Sequence, residues 1–513
     1  MKRLIYIIIL ILFVGCHSQI EDTPNSKEIV FVEKNEENQD LDFNLESLKA
    51  DDKLIMASNI PKTLNPILNT DADIAQMLNL MFDTLINIEQ DGSVSPNLAK
   101  YYTINYENNS VIVVLEDNIK WHDGTMLDAF DVVYSIQLLK ETEDSIYHVN
   151  SRNMSYALAL SSNTVQIFYN HSFSGVLQTL FFPVIPEHIY AKNVNSAPIG
   201  TGAYKLAFET PQKFISLISN EDYFKGKPNI PFIEVYYTPD NVTALAMFDR
   251  DKLDVVYTET MNWFKYDKNA KVYEIPLNKY EFIGINFDNK ILRNINVRTA
   301  LNCAIDKQNL INIYYLGKGV VSSTPISPNS YLYNGYEEKL TREMTQISLT
   351  KAGFTLENPL KLEMLINKDN QERLLVSEEI IKMYAEYGII IIPEYVDEVT
   401  FNKRVYNKEY ELFFGGWKFS YMPDFSFIFH SKSDNFINYV NKDMDLLLHN
   451  AFVAKEHELL EAYDQLQLYI QKELPYISLF FKYGALITDE RISGEVFPLP
   501  LNIYNNIQLW TIE

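Results

Sequence analysis

The chain has 513 residues, 47% hydrophobic and 13% aromatic, which is enough for about three domains with real cores and excludes a disordered or fibrous protein. Its 44 basic and 68 acidic residues give a net charge of −24, so a nucleic-acid backbone or an acidic lipid surface is a poor partner. The two cysteines, Cys16 and Cys303, exclude a disulfide framework and a cysteine-based zinc site.

In chain order, Lys2 and Arg3 precede an unbroken apolar run from Leu4 to Val14. A membrane-spanning helix needs roughly 20 apolar residues, so this run has the size of a signal-peptide core. It ends in Phe13-Val14-Gly15-Cys16, which resembles a bacterial lipobox with Phe13 where Leu is usual. Cys16 is therefore the expected lipidation site, and residues 1–15 the signal peptide. From Glu21 to Asp52 there are eleven acids and three bases with few apolar residues, so residues 16–53 read as an acidic flexible tether.

Dense apolar patterning begins at Leu54. Strands are expected at Val111 to Leu115, Phe232 to Thr238, Lys361 to Ile366, Gly388 to Val396 and Tyr410 to Trp417, from their β-branched and aromatic content. Ile74, Met77, Leu78, Met81 and Leu85 follow helical spacing, with Asp71 or Asp73 as N-cap. A second helix starts near Asp128 and Asp131, a third is capped by Asn296, and a fourth covers Leu459 to Ile470. The mixture predicts an α/β body in more than one lobe. Gly200 and Gly202 are expected to supply positive φ and a close chain crossing.

Five stretches, in order, carry a resemblance. They are Thr63-Leu-Asn-Pro66 with Phe82-Asp-Thr-Leu85 and Asp91 to Ala99; Trp121-His-Asp-Gly-Thr125 running into Asp128 to Ser135; Pro198 to Tyr204; Ile285-Asn-Phe287 with Val297 to Leu301 and Ala304 to Asp306; and Gly415-Gly-Trp417 with Pro423-Asp424, then Leu474 to Ile477. Together they resemble the family 5 extracellular solute-binding proteins, the oligopeptide- and dipeptide-binding lipoproteins of ABC importers. The resemblance implies a two-lobed periplasmic-binding-protein-like α/β fold, the large three-domain type II variant, with a hinge and an interlobe ligand cleft. It implies a first lobe from residues 54–90, 198–283 and 480–513, an inserted domain at 91–197, and a second lobe at 284–479.

By the same resemblance the ligand lies between Asp71, Ala72 and Asp73 on one wall and Gly416, Trp417 and Lys418 on the other, the backbone of an extended peptide adding as a strand. Many peptide-binding members read Trp-x-x-Asp there, and the carboxylate pairs with the peptide's α-ammonium. Counting three from Trp417 gives Ser420, followed by Tyr421, Met422, Pro423 and Asp424. Ser420 can bond an ammonium but not neutralise it; Asp424, Asp71 and Asp73 are the substitute carboxylates. The implied function is capture of an oligopeptide or dipeptide and its delivery to an ABC permease driven by cytoplasmic ATPases, by a monomer anchored at the outer face of the cytoplasmic membrane. The alternatives are a metal chelate, a modified peptide or an oligosaccharide as cargo, or a lipid-anchored sensor.

No enzyme, metal or cofactor enters this reading. Ser348-Leu-Thr-Lys351 and Ser433-Asp-Asn435 match two motifs of penicillin-type acyltransferases, but Lys-Thr-Gly is absent, as are G-x-S-x-G and H-E-x-x-H. Ser348 precedes Gly353-Phe354, which reads as a helix end. His122 and His430 are expected to be structural.

Overall fold

The computed structural model describes residues 53–266, 270–335 and 341–513. Cys16, the apolar N-terminal run and the acidic tether lie outside the described residues. Among the described residues no helix is long and apolar enough to cross a membrane.

Three sheets organise the body. In the first, Lys53–Asn59 runs parallel to Phe232–Thr238, which pairs antiparallel with Phe214–Ser219 and that with Tyr204–Thr210. The second is a four-stranded antiparallel sheet in the order Ala99–Asn105, Ser110–Leu115, Thr164–Tyr169, Met154–Ser161. One hydrophobic core joins these two sheets, from Leu54 and Met56 through Val111, Val113, Val165 and Ile167 to Ile233 and Val235. Alternation along each strand puts those residues on one face and leaves the other polar or open.

The third sheet has seven strands. Two long strands, Lys271–Ile285 and Tyr476–Thr488, run antiparallel at its centre. Val255–Thr258 and Gly319–Val321 pair with Tyr476–Thr488, and Leu412–Lys418 pairs with Lys271–Ile285 and continues the sheet through Lys361–Asn367 to Ile390–Val396. Alternation sends Ile283, Ile285, Met364 and Ile366 to one core and Phe282, Leu365 and Phe413 to another on the opposite face. A smaller core under the far end holds Val256, Trp263, Ala485 and Ile487. The ladder between the long strands breaks register between Pro276 and Tyr280, and again between Glu281 and Phe282. A bulge of this kind bends a strand, and here it separates the two ends of the sheet.

Local chemistry explains most element ends. Asp71 caps Ala72–Leu78, and its carboxylate accepts the N–H groups of Asp73 and Ile74 at 2.8 and 3.2 Å. Asp128 and Asp131 form a reciprocal capping box on Ala129–Glu141. The third expected helix is Ile295–Cys303, and its cap is Asn294, not Asn296, which lies inside the first turn. The strand expected from Gly388 begins only at Ile390. Gly388 has φ +74° and its N–H bonds Ala385 O, so it closes the preceding helix instead.

Gly200 and Gly202 make the close crossing without positive φ, which corrects that half of the expectation. A Cβ on Gly200 would stand 1.8 Å from Met81 O, and one on Gly202 2.5 Å from the Met81 carbonyl carbon. The crossing is held by His122, whose Nδ1 accepts from Gly200 N at 3.2 Å, leaving Nε2–H to donate to Gly202 O at 3.1 Å. Burial and the Lys205 charge push the imidazole down to about 4, against the Gly202 bond and Asp123 that favour its cation. It is neutral in the fold. Beneath it Asp83 is buried, bonded by Thr201, Asn97 and Tyr223.

Candidate functional site

The ends of three strands and the start of one helix converge. Lys53–Asn59 ends beside the helix start at Asp71, and Asn59 Nδ2 donates to the carboxylates of Asp71 (3.3 Å) and Asp73 (3.1 Å). Val255–Thr258 ends at Glu259. Facing them, Leu412–Lys418 ends with Trp417 and Lys418, and Lys418 lies opposite Lys279 of the crossing strand, in register.

Glu259 is the electrostatic centre. Lys279 Nζ makes a close ion pair with it, Lys418 Nζ lies at 3.6 Å, and Tyr257 OH donates at 2.8 Å. Burial pushes the Glu259 carboxyl up, but Lys418, Lys279 and the tyrosine outweigh it and hold the group at about 2. Asp73 goes the other way: desolvation raises it, and Asp71 and Glu259 add to the rise against Lys418 and Asn59. The Asp73 side chain is exposed. Burial lowers Lys279, against the pull of Glu259.

Three cavities flank this pair. One, about 50 Å³, is lined by Ser420, Tyr421 and Pro423 together with Asp91, Asn278 and Tyr331. Another of about 50 Å³ lies beside Asp73, Asn59, Gln76, Tyr257 and Tyr504. The smallest, about 10 Å³, lies between Glu259, Trp263, Tyr315, Lys318 and Lys482. A water needs roughly 10–15 Å³, so each of the two larger spaces has room for a few waters.

The residues named from sequence separate into groups. Asp71, Asp73 and Lys418 meet around Glu259, while Ala72 is exposed beside them. Ser420 and Tyr421 line the other cavity; Ser420 is exposed and its Oγ donates to Met422 O at 3.3 Å. Asp424 is exposed and accepts the Ser426 N–H at 2.9 Å, a turn bond at the start of the helix Ser426–Phe429. Trp417 is half-buried, its ring 5.0 Å from Phe436, 5.7 Å from Phe427 and stacked at 6.0 Å on Phe282; its Nε1 is buried without an acceptor. Gly416 lies under an ion pair: a Cβ there would stand 2.3 Å from Arg373 Nη2 and 2.8 Å from Glu281 Oε1. Arg373 holds the buried Glu281 bidentately, at 2.8 and 3.1 Å.

Glu259, Lys279 and the Arg373–Glu281 pair were not legible as a site. An acid after a short apolar strand is an ordinary strand end, and no local pattern says which distant lysines it will meet. Ser348 lies buried in the helix Glu343–Lys351, and Gly353 ends it with φ +89°. Ser433 Oγ bonds His430 O at 2.7 Å.

Residues 93–438 match the family model described as bacterial extracellular solute-binding proteins, family 5 middle. The oligopeptide-binding protein AppA of Bacillus subtilis is 24% identical, over 88% of this chain and 90% of its own. Heme-binding protein A of Haemophilus influenzae is 22% identical, over 81% and 84%. The crystal structure of the ABC transporter substrate-binding protein CtaP from Listeria monocytogenes superposes with a TM-score of 0.78 at 22% identity, covering 90% of this chain and 99% of that one.

Proposed function

Because the chain belongs to the family 5 bacterial extracellular solute-binding proteins, we propose that it is the capture component of an ABC importer, that its cargo is an oligopeptide or dipeptide, and that closure of two lobes buries the cargo. Residues 54–90, 198–283 and 480–513 form the first lobe, 91–197 the insert, and 284–479 the second lobe. The observation that carries the reading is the Glu259 cluster: an acid from one wall is met by Lys418 from the other, across strands whose ladder breaks at Pro276–Tyr280. A break in two crossing strands is where a hinge can bend. Closure requires contacts from both walls, and both walls supply charged and open polar groups there. The oligopeptide-binding relative, which aligns over most of both chains, supports peptide as the cargo class. The lipid on Cys16 holds this monomer at the outer face of the cytoplasmic membrane, where it hands cargo to the permease.

Thermal unfolding tests the cargo class. Mixed oligopeptides at a hundredfold excess over Kd are expected to stabilise the protein by about 2.7 kcal/mol. Stabilisation by haem or a metal–histidine chelate, with none from peptides, replaces the cargo class and leaves the capture role.

A second reading has its own observation. Ser420 carries no charge, is exposed and spends its hydroxyl on Met422 O, so the second lobe offers no carboxylate at the usual α-amine position. This favours an N-blocked or non-peptide cargo. Ser420→Asp is expected to favour free-amine peptides over their N-acetylated forms; equal preference in the variant and the parent removes Ser420 from that position.

A further inference from the structure

One of the three cavities is lined wholly by residues of the proposed first lobe, at the carboxyl ends of two parallel strands. Lys53–Asn59 and Phe232–Thr238 finish side by side, with Asn59 in register with Thr238, and the cavity of about 50 Å³ lies at their ends. The crevice past the ends of parallel strands is where an α/β sheet places ligands. Ala57, Ala244 and Val256 give it an apolar wall, and the exposed Asp73 lines its polar side.

The polar atoms around it are unequal. Asn59 Nδ2 is spent on Asp71 and Asp73, and Asn241 Nδ2 on Tyr257 O at 2.6 Å, which leaves both side-chain carbonyls to accept. Gln76 uses both of its ends, Nε2 on Pro500 O at 3.3 Å and Oε1 on Ile503 N at 2.9 Å. Ser58 is 8% exposed and lines the cavity, and its Oγ is buried without a partner. Among the described residues that line the space there is one acid and no lysine, arginine or histidine. The helices Ala72–Leu78 and Asn241–Phe248, which begin beside it, are capped by Asp71 and Asp240, so N–H groups of their first turns are already engaged.

Spent donors, spare acceptors and one carboxylate suit a ligand group made of donors. A primary ammonium has three N–H donors and no acceptor. A methylene stem behind it suits the wall of Ala57, Ala244 and Val256. At roughly 10–15 Å³ for each water-sized group, the space holds the ammonium and two or three methylenes. Burial and the charges of Asp71 and Glu259 raise the Asp73 carboxyl, and a cation bound beside it offsets them. Ser420 lines a different cavity, so a cargo whose amino end lies there brings another group to Asp73.

Resting on the capture reading above, we propose that this first-lobe cavity is a cargo subsite for a primary ammonium on an alkyl stem, with Asp73 as counter-ion and the oxygens of Asn59, Asn241 and Ser58 as acceptors. A lysine-type side chain is the source that the separate Ser420 cavity favours; the cargo's amino terminus is the other source. The subsite selects basic cargo through the first lobe alone, and it serves a cargo whose amino end is blocked.

Isothermal titration with amidated pentapeptides tests it. One set is acetylated and carries a single lysine among alanines, at each position in turn. A second has norleucine there, which keeps the stem and lacks the ammonium. A third is the norleucine set with free amino ends. The protein, freed of bound solutes by prolonged dialysis, is expected to bind the lysine set about tenfold tighter than the acetylated norleucine set. Asp73→Asn is expected to reduce that ratio to about twofold or less. Ala244→Met, which fills the space and leaves the carboxylate in place, is expected to do the same. If only the free-amine set gains affinity and Asp73→Asn removes the gain, the subsite stands with the amino terminus as its occupant. Equal affinities across the three sets, or a preference that survives both substitutions, overturn the subsite and leave the capture reading intact. If none of the peptides binds, 1,5-diaminopentane decides. Binding that Asp73→Asn abolishes keeps the subsite while peptide cargo fails, and no binding overturns both.

Discussion

At Glu259 two ammonium groups and a hydroxyl converge on one carboxylate, and the charges are shielded enough for the arrangement to matter. Removing one partner of such a cluster leaves the others uncompensated, so Glu259→Gln is expected to lower the unfolding free energy by about 3 kcal/mol in denaturant titration. A loss below about 1 kcal/mol identifies the pairs as ordinary surface bridges. Trp417 has two roles to separate. Trp417→Ala is expected to weaken cargo binding about tenfold, but its stacking on Phe282, Phe427 and Phe436 means that the same change costs about 3 kcal/mol of stability. Trp417→Phe keeps the packing and loses Nε1. Unchanged affinity in both variants assigns the ring to the core alone. Sequence placed Trp417 and Lys418 at a strand end, where the structure has them, because strand patterning is local. It did not find Glu259, because an ion pair between distant strand ends leaves no trace in spacing.

The crossing at Gly200–Gly202 shows how elements were and were not legible. The glycines marked a close approach, and the fold places a carbonyl in each Cβ position, but neither has a positive φ. Asp71 and Asp128 were readable caps because side chain and N–H lie within three residues. Asn294 was missed for Asn296 because either asparagine fits the pattern and only backbone geometry decides. The crossing also carries a pH dependence. His122 stands at about 4 in the fold against 6.5 unperturbed, so its neutral form is the stabilising one. That stability is complete above about pH 6.5 and is lost as pH falls towards 4, to the extent of about 3 kcal/mol. His122→Gln retains a donor and an acceptor without titrating. The parent is therefore expected to lose more stability than the variant between pH 6.5 and 4; parallel profiles contradict a neutral His122 at the crossing.

For the whole molecule, the cores run across the proposed lobe bounds: Tyr280, Phe282, Ile283, Phe480 and Phe481, first-lobe residues by those bounds, pack in the cores of the second. Tyr421 and Phe452 cross from the second lobe onto the first core, beside the cleft and beyond it. The fold's outline was legible because alternation and capping recur along the whole body. The meeting of the walls was not, since it depends on side chains hundreds of residues apart, such as Glu456 and Tyr106. The central claim is that this protein buries a transported solute between its lobes. Native mass spectrometry of the protein purified gently from a rich medium, followed by denaturation to release what it holds, tests that claim most directly. The account predicts bound masses that fragment as peptides, with their N-termini showing whether Ser420 admits blocked ends. A single discrete mass that does not fragment as a peptide contradicts the peptide assignment, and protein that binds nothing from that medium or from a broad peptide, chelate and oligosaccharide panel contradicts the capture role itself.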